Sequence, residues 1–266
     1  MTMDLITVTD VRFARTRDEC VLGAGERWLG GGTWLFSEEQ PGLTGLVDLT
    51  GMGWEPLEWH DGDLVIAATC TLAELSRIEG SWAAHPLIWQ CVTSLLGSFK
   101  VWNAATVAGN VCMALPAGPM TSLLTALDAT ALVWRPDGTD RVIRVVDLVT
   151  GVQSTALEPG ELVRSFTVPA AALDSRTGFR RIALSPLGRT GTLVIARVDV
   201  TESTWTVTGG VTRPRQFRFD GAPSADALAS AIDTIDDWYD DAHGQPDWRR
   251  AMSLRFAEEL REELCG

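Results

Sequence analysis

Ala105-Thr106-Val107-Ala108-Gly109-Asn110-Val111, together with Gly30-Gly31-Gly32-Thr33-Trp34-Leu35 about seventy residues earlier, is the part of the chain on which the fold turns. Each is a small-residue loop bounded by apolar, strand-like sequence. Glycine permits a sharp turn and has no side chain to block a ligand, so a phosphate-type anion can approach bare backbone N–H groups. One glycine loop is a weak signal, because most are ordinary turns. Two in this order, with matching sequence around them, point to a binding site. At Thr106 to Asn110 the plain reading is a strand end with Asn at a turn, where Asn tolerates left-handed geometry. The functional reading uses the Thr106 hydroxyl, the Gly109 backbone and the Asn110 amide as uncharged donors to a diphosphate. A dinucleotide fingerprint at Gly23-Ala24-Gly25-Glu26-Arg27-Trp28 is excluded, because Trp28 fills the place where a third glycine would allow close strand–helix packing.

Around these loops the pattern is mixed. Residues 1–56 read as a small α/β unit ending in the strand Leu46 to Leu49. Residues 57–168 read as a second unit. Its buried strand Leu64 to Ala68 precedes a capping box at Thr71 and Glu74, in which hydroxyl and carboxylate cross-satisfy free N–H groups. Pro86 and Gly97 bracket a helix over Leu87–Leu96, and another is expected over Thr121–Asp128. Ala131–Trp134 and Val142–Val146 form a hairpin about the Pro136-Asp137-Gly138 turn, and Leu162–Val168 is a further strand. Past Pro169 the sequence alternates over Phe179–Leu184, Leu193–Val200 and Thr204–Gly210, which predicts a three-stranded antiparallel sheet in residues 169–266. Helices over Ser224–Ala242 and Asp247–Leu264 follow. The 12 acidic residues and 4 arginines between Asp220 and Gly266 read as a solvated helix face, including Asp236-Asp237 and Asp240-Asp241. The fold class is α+β.

Composition narrows the function. A hydrophobic content of 45% and a charged content of 21% are those of a globular protein, and no apolar run reaches the length of a membrane helix. The N-terminus has no secretory core, so the expected location is cytoplasmic. A net charge of −13 argues against nucleic acid and anionic membrane as partners. The five cysteines are widely spaced without a CxxC, and His60, His85 and His243 lack metal-ligand spacing, so no metal site is expected on this chain. No nucleophile motif or acid–base pair stands out, so no catalytic side chain is assigned. Lys100 is the only lysine beside 21 arginines.

The motifs and their order resemble the FAD-binding subunit of the molybdenum hydroxylases, the family of xanthine dehydrogenase and aerobic carbon monoxide dehydrogenase. Its (A/G)GGT(D/Q)L and TIGGN loops are matched here by Gly30 to Leu35 and Thr106 to Asn110. Leu64 to Leu75, Ala114-Leu115-Pro116-Ala117-Gly118, Leu124 to Ala129 and Thr155 to Val163 match further family stretches, so the likeness covers most of residues 25–215. The resemblance implies a two-subdomain FAD-binding fold of the vanillyl-alcohol-oxidase/PCMH type in residues 1–168. It further implies FAD held by Leu29, Gly30, Gly31, Gly32, Thr33, Trp34, Leu35, Ala67, Thr69, Thr106, Ala108, Gly109, Asn110, Pro116, Gly118 and Leu162, with Arg189 near the flavin. Molybdopterin and iron–sulfur clusters are implied on a large and a small partner subunit, with NAD or oxygen as possible acceptor. The chain departs from the family pattern at Trp34, at Ala108 in place of the first TIGGN glycine, at Trp102, and at Pro119, where the family has the Asp that contacts the ribose. Those departures motivate a second reading, a flavin-free structural subunit that keeps the fold and the partner surface.

Overall fold

A computed structural model describes residues 5–266. Strands β1 (Asp10–Phe13), β2 (Glu26–Leu29) and β3 (Gly45–Asp48) form a small parallel sheet in the order β1-β3-β2. Strands β4 (Leu57–His60) and β5 (Asp63–Ala67) follow, then five helices: α1 (Leu72–Leu75), α2 (His85–Thr93), α3 (Phe99–Trp102), α4 (Val107–Cys112) and α5 (Pro119–Ala126). Next come β6 (Thr130–Trp134), β7 (Asp140–Arg144), α6 (Val145–Leu148), the short pair β8 (Val149–Gly151) and β9 (Ser154–Thr155), and β10 (Leu162–Val168). After α7 (Ala170–Leu173), strands β11 (Arg176–Ile182), β12 (Thr192–Val198), β13 (Glu202–Thr208) and β14 (Arg215–Asp220) run as consecutive antiparallel neighbours, and α8 (Ala225–Ile232) and α9 (Pro246–Cys265) end the chain.

Local chemistry sets the element ends. The capping box forms as the spacing predicts: Thr71 Oγ1 accepts from the Glu74 N–H at 3.1 Å, and the Glu74 carboxylate accepts from the Thr71 N–H at 2.8 Å. Helix α5 starts at Pro119, two residues before the expected Thr121, because a proline in the first turn forfeits no intrahelical bond.

Two expectations need correction. The C-terminal sheet has four strands, not three. The fourth, Arg-Gln-Phe-Arg-Phe-Asp at 215–220, places Phe217 and Phe219 against the apolar core between polar neighbours, and that short alternation is easily taken for a charged loop. The helix expected over 224–242 stops at Ile232. Asp237 is not on a solvated helix face: its carboxylate pairs with Arg215, and its carbonyl accepts from the Thr212 N–H at 3.1 Å. That tie pulls the acidic stretch back onto the sheet, where Val211 and Trp238 form an isolated bridge.

Strand β10 lies at the centre of the sheet β4-β5-β10-β6-β7, paired antiparallel to β5 and β6. Leu64, Ile66, Ala131, Val133 and Phe166 from this sheet pack against Leu87, Leu123 and Leu124 from the helices in the main core. Strand β12 belongs to two cores, because its side chains alternate between faces: Leu193 and Ile195 enter the main core, while Val194 and Ala196 join Trp205, Leu228, Ile232 and Leu260 in the second. Full burial of each such large side chain stabilises by about 1.5–3 kcal/mol. Among the described residues no helix is long and apolar enough to cross a membrane.

A buried ion network locks the C-terminal sheet to α5. Arg197, 5% exposed, donates to the Ala126 carbonyl at 3.1 Å and pairs with Asp128. Asp128, in left-handed geometry at φ 53°, also accepts from Arg218 and from Gln216 Nε2. Asp128→Asn keeps a residue that tolerates the left-handed turn but removes the close ion-pair partner of Arg197, leaving only the Glu202 carboxylate at 3.6 Å. Urea unfolding of this variant is expected to show a loss of about 3 kcal/mol. A loss below about 1 kcal/mol would mean that the network does not hold the interface.

Candidate functional site

The two glycine loops meet. Strand β2 delivers Leu29 into a small apolar cluster with Leu43 and Leu46, and the chain then turns through Gly30, Gly31 and Gly32. A Cβ on Gly31 would overlap the Ala104 carbonyl, and one on Gly30 would lie 2.8 Å from Thr106 Oγ1. Gly32 has φ 68°, the left-handed region that glycine occupies without strain. The turn then closes with Phe36 N–H on the Gly32 carbonyl at 2.9 Å. Among the described residues the backbone N–H groups of Gly30 through Leu35 have no acceptor. Thr33 is exposed, and Trp34 and Leu35 are half-buried.

The second loop is not a strand end. Thr106, 4% exposed, is the N-cap of α4, and its Oγ1 accepts from the Gly109 N–H at 3.1 Å. The segment is laced to the turn after β5: Leu72 N–H donates to Ala105 at 2.9 Å, Val107 N–H to Cys70 at 2.8 Å and Ala108 N–H to Ala68 at 3.3 Å. Ala67 and Thr69 therefore frame the loop from below, Ala67 buried and Thr69 half-buried. Asn110 N–H donates to the Thr106 carbonyl at 3.0 Å, and Asn110 Oδ1 accepts from Met120 N–H at 2.9 Å, which caps α5. The backbone donors from Val107 to Asn110 are thus engaged within the protein, whereas Asn110 Nδ2 and the Thr106 hydroxyl hydrogen have no acceptor among the described residues.

Pro116 and Gly118 lie beside this loop. A Cβ on Gly118 would sit 3.3 Å from Asn110 Oδ1, and the Pro116 carbonyl accepts from Gly209 N–H at 2.9 Å. Gly209 in turn crowds Thr190, next to Arg189. Arg189 is half-buried and forms no ion pair or hydrogen bond among the described residues, while Arg180 pairs with Glu259 and Glu263 on α9, and Arg181 donates to Thr190 Oγ1 at 2.7 Å. Leu162 lies apart from the glycine loops, lining a cleft of about 370 Å³ with Arg17, Trp134 and Arg135. The structure therefore brings together Gly30, Gly31, Thr106, Ala108, Asn110 and Gly118, and leaves Leu162 and Arg189 without hydrogen bonds to them.

Sequence reasoning missed four contributors. Ala104 forms the floor against Gly31, and Met120 supplies the N–H that orients Asn110. Trp28 and Glu161 join the small parallel sheet to β10, the indole N–H donating to the Glu161 carbonyl at 3.0 Å. A lone acid in an apolar strand entry was the available signal for Glu161. Its carboxylate is held by Arg141 and Arg135 and accepts from Glu158 N–H at 2.8 Å. The Arg141 hydrogen bond pulls its pKa down to about 2, with the Glu158 N–H and Arg135 adding to the effect. Burial pushes the Cys70 and Cys112 thiols up to about 12, so both stay neutral and unsuited as nucleophiles or metal ligands. No group of His, Cys, Asp and Glu among the described residues is arranged to hold a metal ion.

The depressed Glu161 pKa fixes the sign of an acid dependence. The unfolded chain binds this proton near the ordinary glutamate value of about 4.3, so the stabilisation is complete above that pH and is lost as pH falls toward 2. Urea unfolding between pH 5 and pH 2.5 is expected to show a shallower decline in Glu161→Gln than in the wild type. Parallel declines would remove Glu161 as a source of the acid sensitivity.

Comparison with known proteins agrees with this architecture. A family model described as "FAD binding domain in molybdopterin dehydrogenase" matches residues 15–171, more than half of the chain. The glyceraldehyde dehydrogenase medium chain of Sulfolobus acidocaldarius is 32% identical over 106 residues, which cover 40% of this chain and 36% of that relative. The carbon monoxide dehydrogenase medium chain of Afipia carboxidovorans is 29% identical over 125 residues, 47% of this chain and 43% of that one. The matches thus span less than half the length of these curated relatives. In three dimensions the chain is similar to the reconstituted CO dehydrogenase from Oligotropha carboxidovorans, with a TM-score of 0.83, 20% identity and 96% of each chain covered.

Proposed function

The chain belongs to the family of FAD-binding domains in molybdopterin dehydrogenases, and from that premise we propose that it is the FAD-carrying electron-transfer subunit of a multi-subunit molybdenum hydroxylase. In this reading its partners are a large molybdopterin-binding subunit and a small iron–sulfur subunit; the term "medium chain" in the names of its relatives supports a larger and a smaller companion. NAD, oxygen or another acceptor takes the electrons, and the complex resides in the cytoplasm. Residues 1–168 serve as the cofactor domain and 169–266 as the domain behind it.

The observation that carries the proposal is the run of unengaged N–H groups from Gly30 to Leu35, held against the second loop by the Gly31–Ala104 contact. This donor set fits a diphosphate. It is neutral, successive and backbone-borne, so it can hold two negative charges without burying a full ion pair. Leu29 through Leu35 hold one side, and Thr106, Ala108, Gly109 and Asn110 hold the other, with the Asn110 Nδ2 and the Thr106 hydroxyl as the open donors. Ala67, Thr69, Pro116 and Gly118 complete the binding surface, Arg189 serves the flavin end, and Leu162, in the separate cleft beside Trp134 and Arg135, is left outside it. Pro119 is buried in the first turn of α5 and offers no acceptor to a ribose, so the fit rests on the diphosphate.

When bound, FAD supplies the redox chemistry, taking up and passing on electrons. The chain's own residues bind, orient and tune. Held in place by Met120, Asn110 keeps its amide nitrogen available, and Arg189 adds positive charge that has no carboxylate to neutralise it. A specific observation favours the flavin-free scaffold as a second reading: the N–H groups from Val107 to Asn110 are already engaged inside the protein.

Purified protein is expected to be yellow, with about one FAD per chain, and Gly109→Trp is expected to lose the flavin while the fold and the assembly persist. A colourless chain that cannot be reconstituted with FAD, yet assembles in a fully active complex, would establish the scaffold instead.

Arg189→Ala is expected to lower the flavin midpoint potential, because a cation near the ring favours the reduced, more negative form. Spectroelectrochemical titration decides the point: an unchanged potential at unchanged FAD occupancy takes Arg189 out of the site.

A further inference from the structure

Residues 5–52 are joined to the rest of the chain far more loosely than the C-terminal sheet is. Among the described residues none before Trp54 belongs to the main core; the small parallel sheet packs on its own cluster of Leu29, Leu43 and Leu46. Three hydrogen bonds cross the joint. Trp28 Nε1 donates to the Glu161 carbonyl at 3.0 Å, and Arg17 donates to the Thr139 carbonyl at 3.0 Å and to the Asp140 carboxylate. Arg17 also lies over the Trp134 ring, 4.7 Å from its centroid. Arg17 and Asp140 are both more than a third exposed, however, and ion pairs so exposed are worth little. A cleft of about 370 Å³ separates Arg17, Cys20 and Val21 from Trp134, Pro136 and Leu162. The C-terminal sheet is fixed differently. It sends Leu193 and Ile195 into the main core and meets α5 through Thr208 on Ser122 and Gln216 on the Thr125 carbonyl.

The chain crosses between the two parts once, at Gly53. That residue has φ 60° and open space where a side chain would stand. Met52 before it touches Cys20, their sulfurs 3.8 Å apart. Trp54 after it meets Trp134 edge to face at 5.5 Å and carries the Arg164 guanidinium over its ring at 4.2 Å. One neighbour of Gly53 is thus anchored to the small sheet and the other to the five-stranded sheet. From this joint we infer that residues 5–52 form a jaw that swings about Gly53 and that an anionic diphosphate ligand holds shut. A small, polar interface leaves relative domain motion as the default, and a hinge needs only a few residues that absorb the change in φ and ψ. Resting on the proposed diphosphate site, the ligand bridges the joint: the open N–H groups of Gly30 to Leu35 ride on the jaw, while Asn110 Nδ2 and the Thr106 hydroxyl stand on the fixed wall. The Gly31–Ala104 contact is one of shape, with no hydrogen bond between the two, so it registers the shut jaw without locking it. Entry and release of the cofactor are then gated by this swing.

The test places nitroxides, through p-acetylphenylalanine, at Val21 on the jaw and Val142 on β7, 55% and 66% exposed, in the full chain. Double electron–electron resonance on FAD-free protein is expected to give a broad distance distribution with a long component, and saturating FAD a single narrow one. At free FAD one hundred times its Kd the open fraction falls about a hundredfold, below detection. The control pair Val142 and Val200, the latter fully exposed, stays narrow in both states. A FAD-free Val21–Val142 distribution as narrow as the control overturns the inference, and if that protein binds FAD the flavin reading survives. Inorganic pyrophosphate separates the readings in the other direction. If it narrows the distribution in a chain that takes no FAD, the jaw is upheld and the flavin reading is lost. A broad distribution that neither ligand narrows overturns the inference. Trp28→Phe removes one hydrogen bond of the joint and leaves both glycine loops intact. It is expected to raise the open fraction and the rate of FAD release about fivefold, at unchanged melting temperature. Wild-type values for both overturn the inference as well.

Discussion

Gly31 packs so closely on the Ala104 carbonyl that no side chain can stand between them. This approach joins the small parallel sheet to the helical layer over the five-stranded sheet. It also determines where both glycine loops end. Thr106 lies beside Gly30 because Gly31 is bare, and Thr106 is itself immobilised as the cap of α4 and by the backbone ladder to Ala68, Cys70 and Leu72. The first loop keeps its backbone donors open, while the second uses its own to build a rigid wall. One loop is therefore equipped to hold an anion, and the other to place two side-chain donors, on Thr106 and Asn110, at its border.

Behind that wall the structure is held by two kinds of force. Apolar packing is continuous from β10 through α5 into one face of β12, and the opposite face of β12 starts a second core under α8 and α9. Between the cores lie ion pairs whose arginines are buried: Arg197 with Asp128, and Arg249 with Asp241. A buried guanidinium is costly unless its donors are satisfied, and both meet carbonyls as well as carboxylates, Arg197 at Ala126 and Arg249 at Gly209 and Gly244. These pairs define how the C-terminal sheet sits on α5. Through Gly209 and Pro116 they also fix the distance between the Arg189 loop and the residues around Asn110.

The acidic surplus follows the same division. Acids are concentrated in the C-terminal stretch and are largely committed to arginines there, as at Asp236, Asp237, Asp241, Glu259 and Glu263. The face beside the second glycine loop is free of them. A strongly acidic chain thus presents one acid-free, aromatic surface, carrying only Lys100, adjacent to the loops on which the proposed chemistry depends.

Glycine spacing, the capping box and strand alternation are local properties, and they were legible in the sequence: the two loops, the α1 cap, the hairpin of β6 and β7 and the central strand β10 all occur where the residues place them. Family membership was legible for the same reason, since short motifs in fixed order carry it. Tertiary structure alone decided the rest. That Asp236 and Asp237 fold back to Arg215, that Arg215–Asp220 is a fourth strand, and that Asn110 turns its oxygen toward Met120 all depend on partners distant in sequence. An acidic side chain on a helical period reads as solvated until an arginine from another strand claims it. A glycine reads as a turn until a carbonyl from another loop occupies the space where its side chain would be.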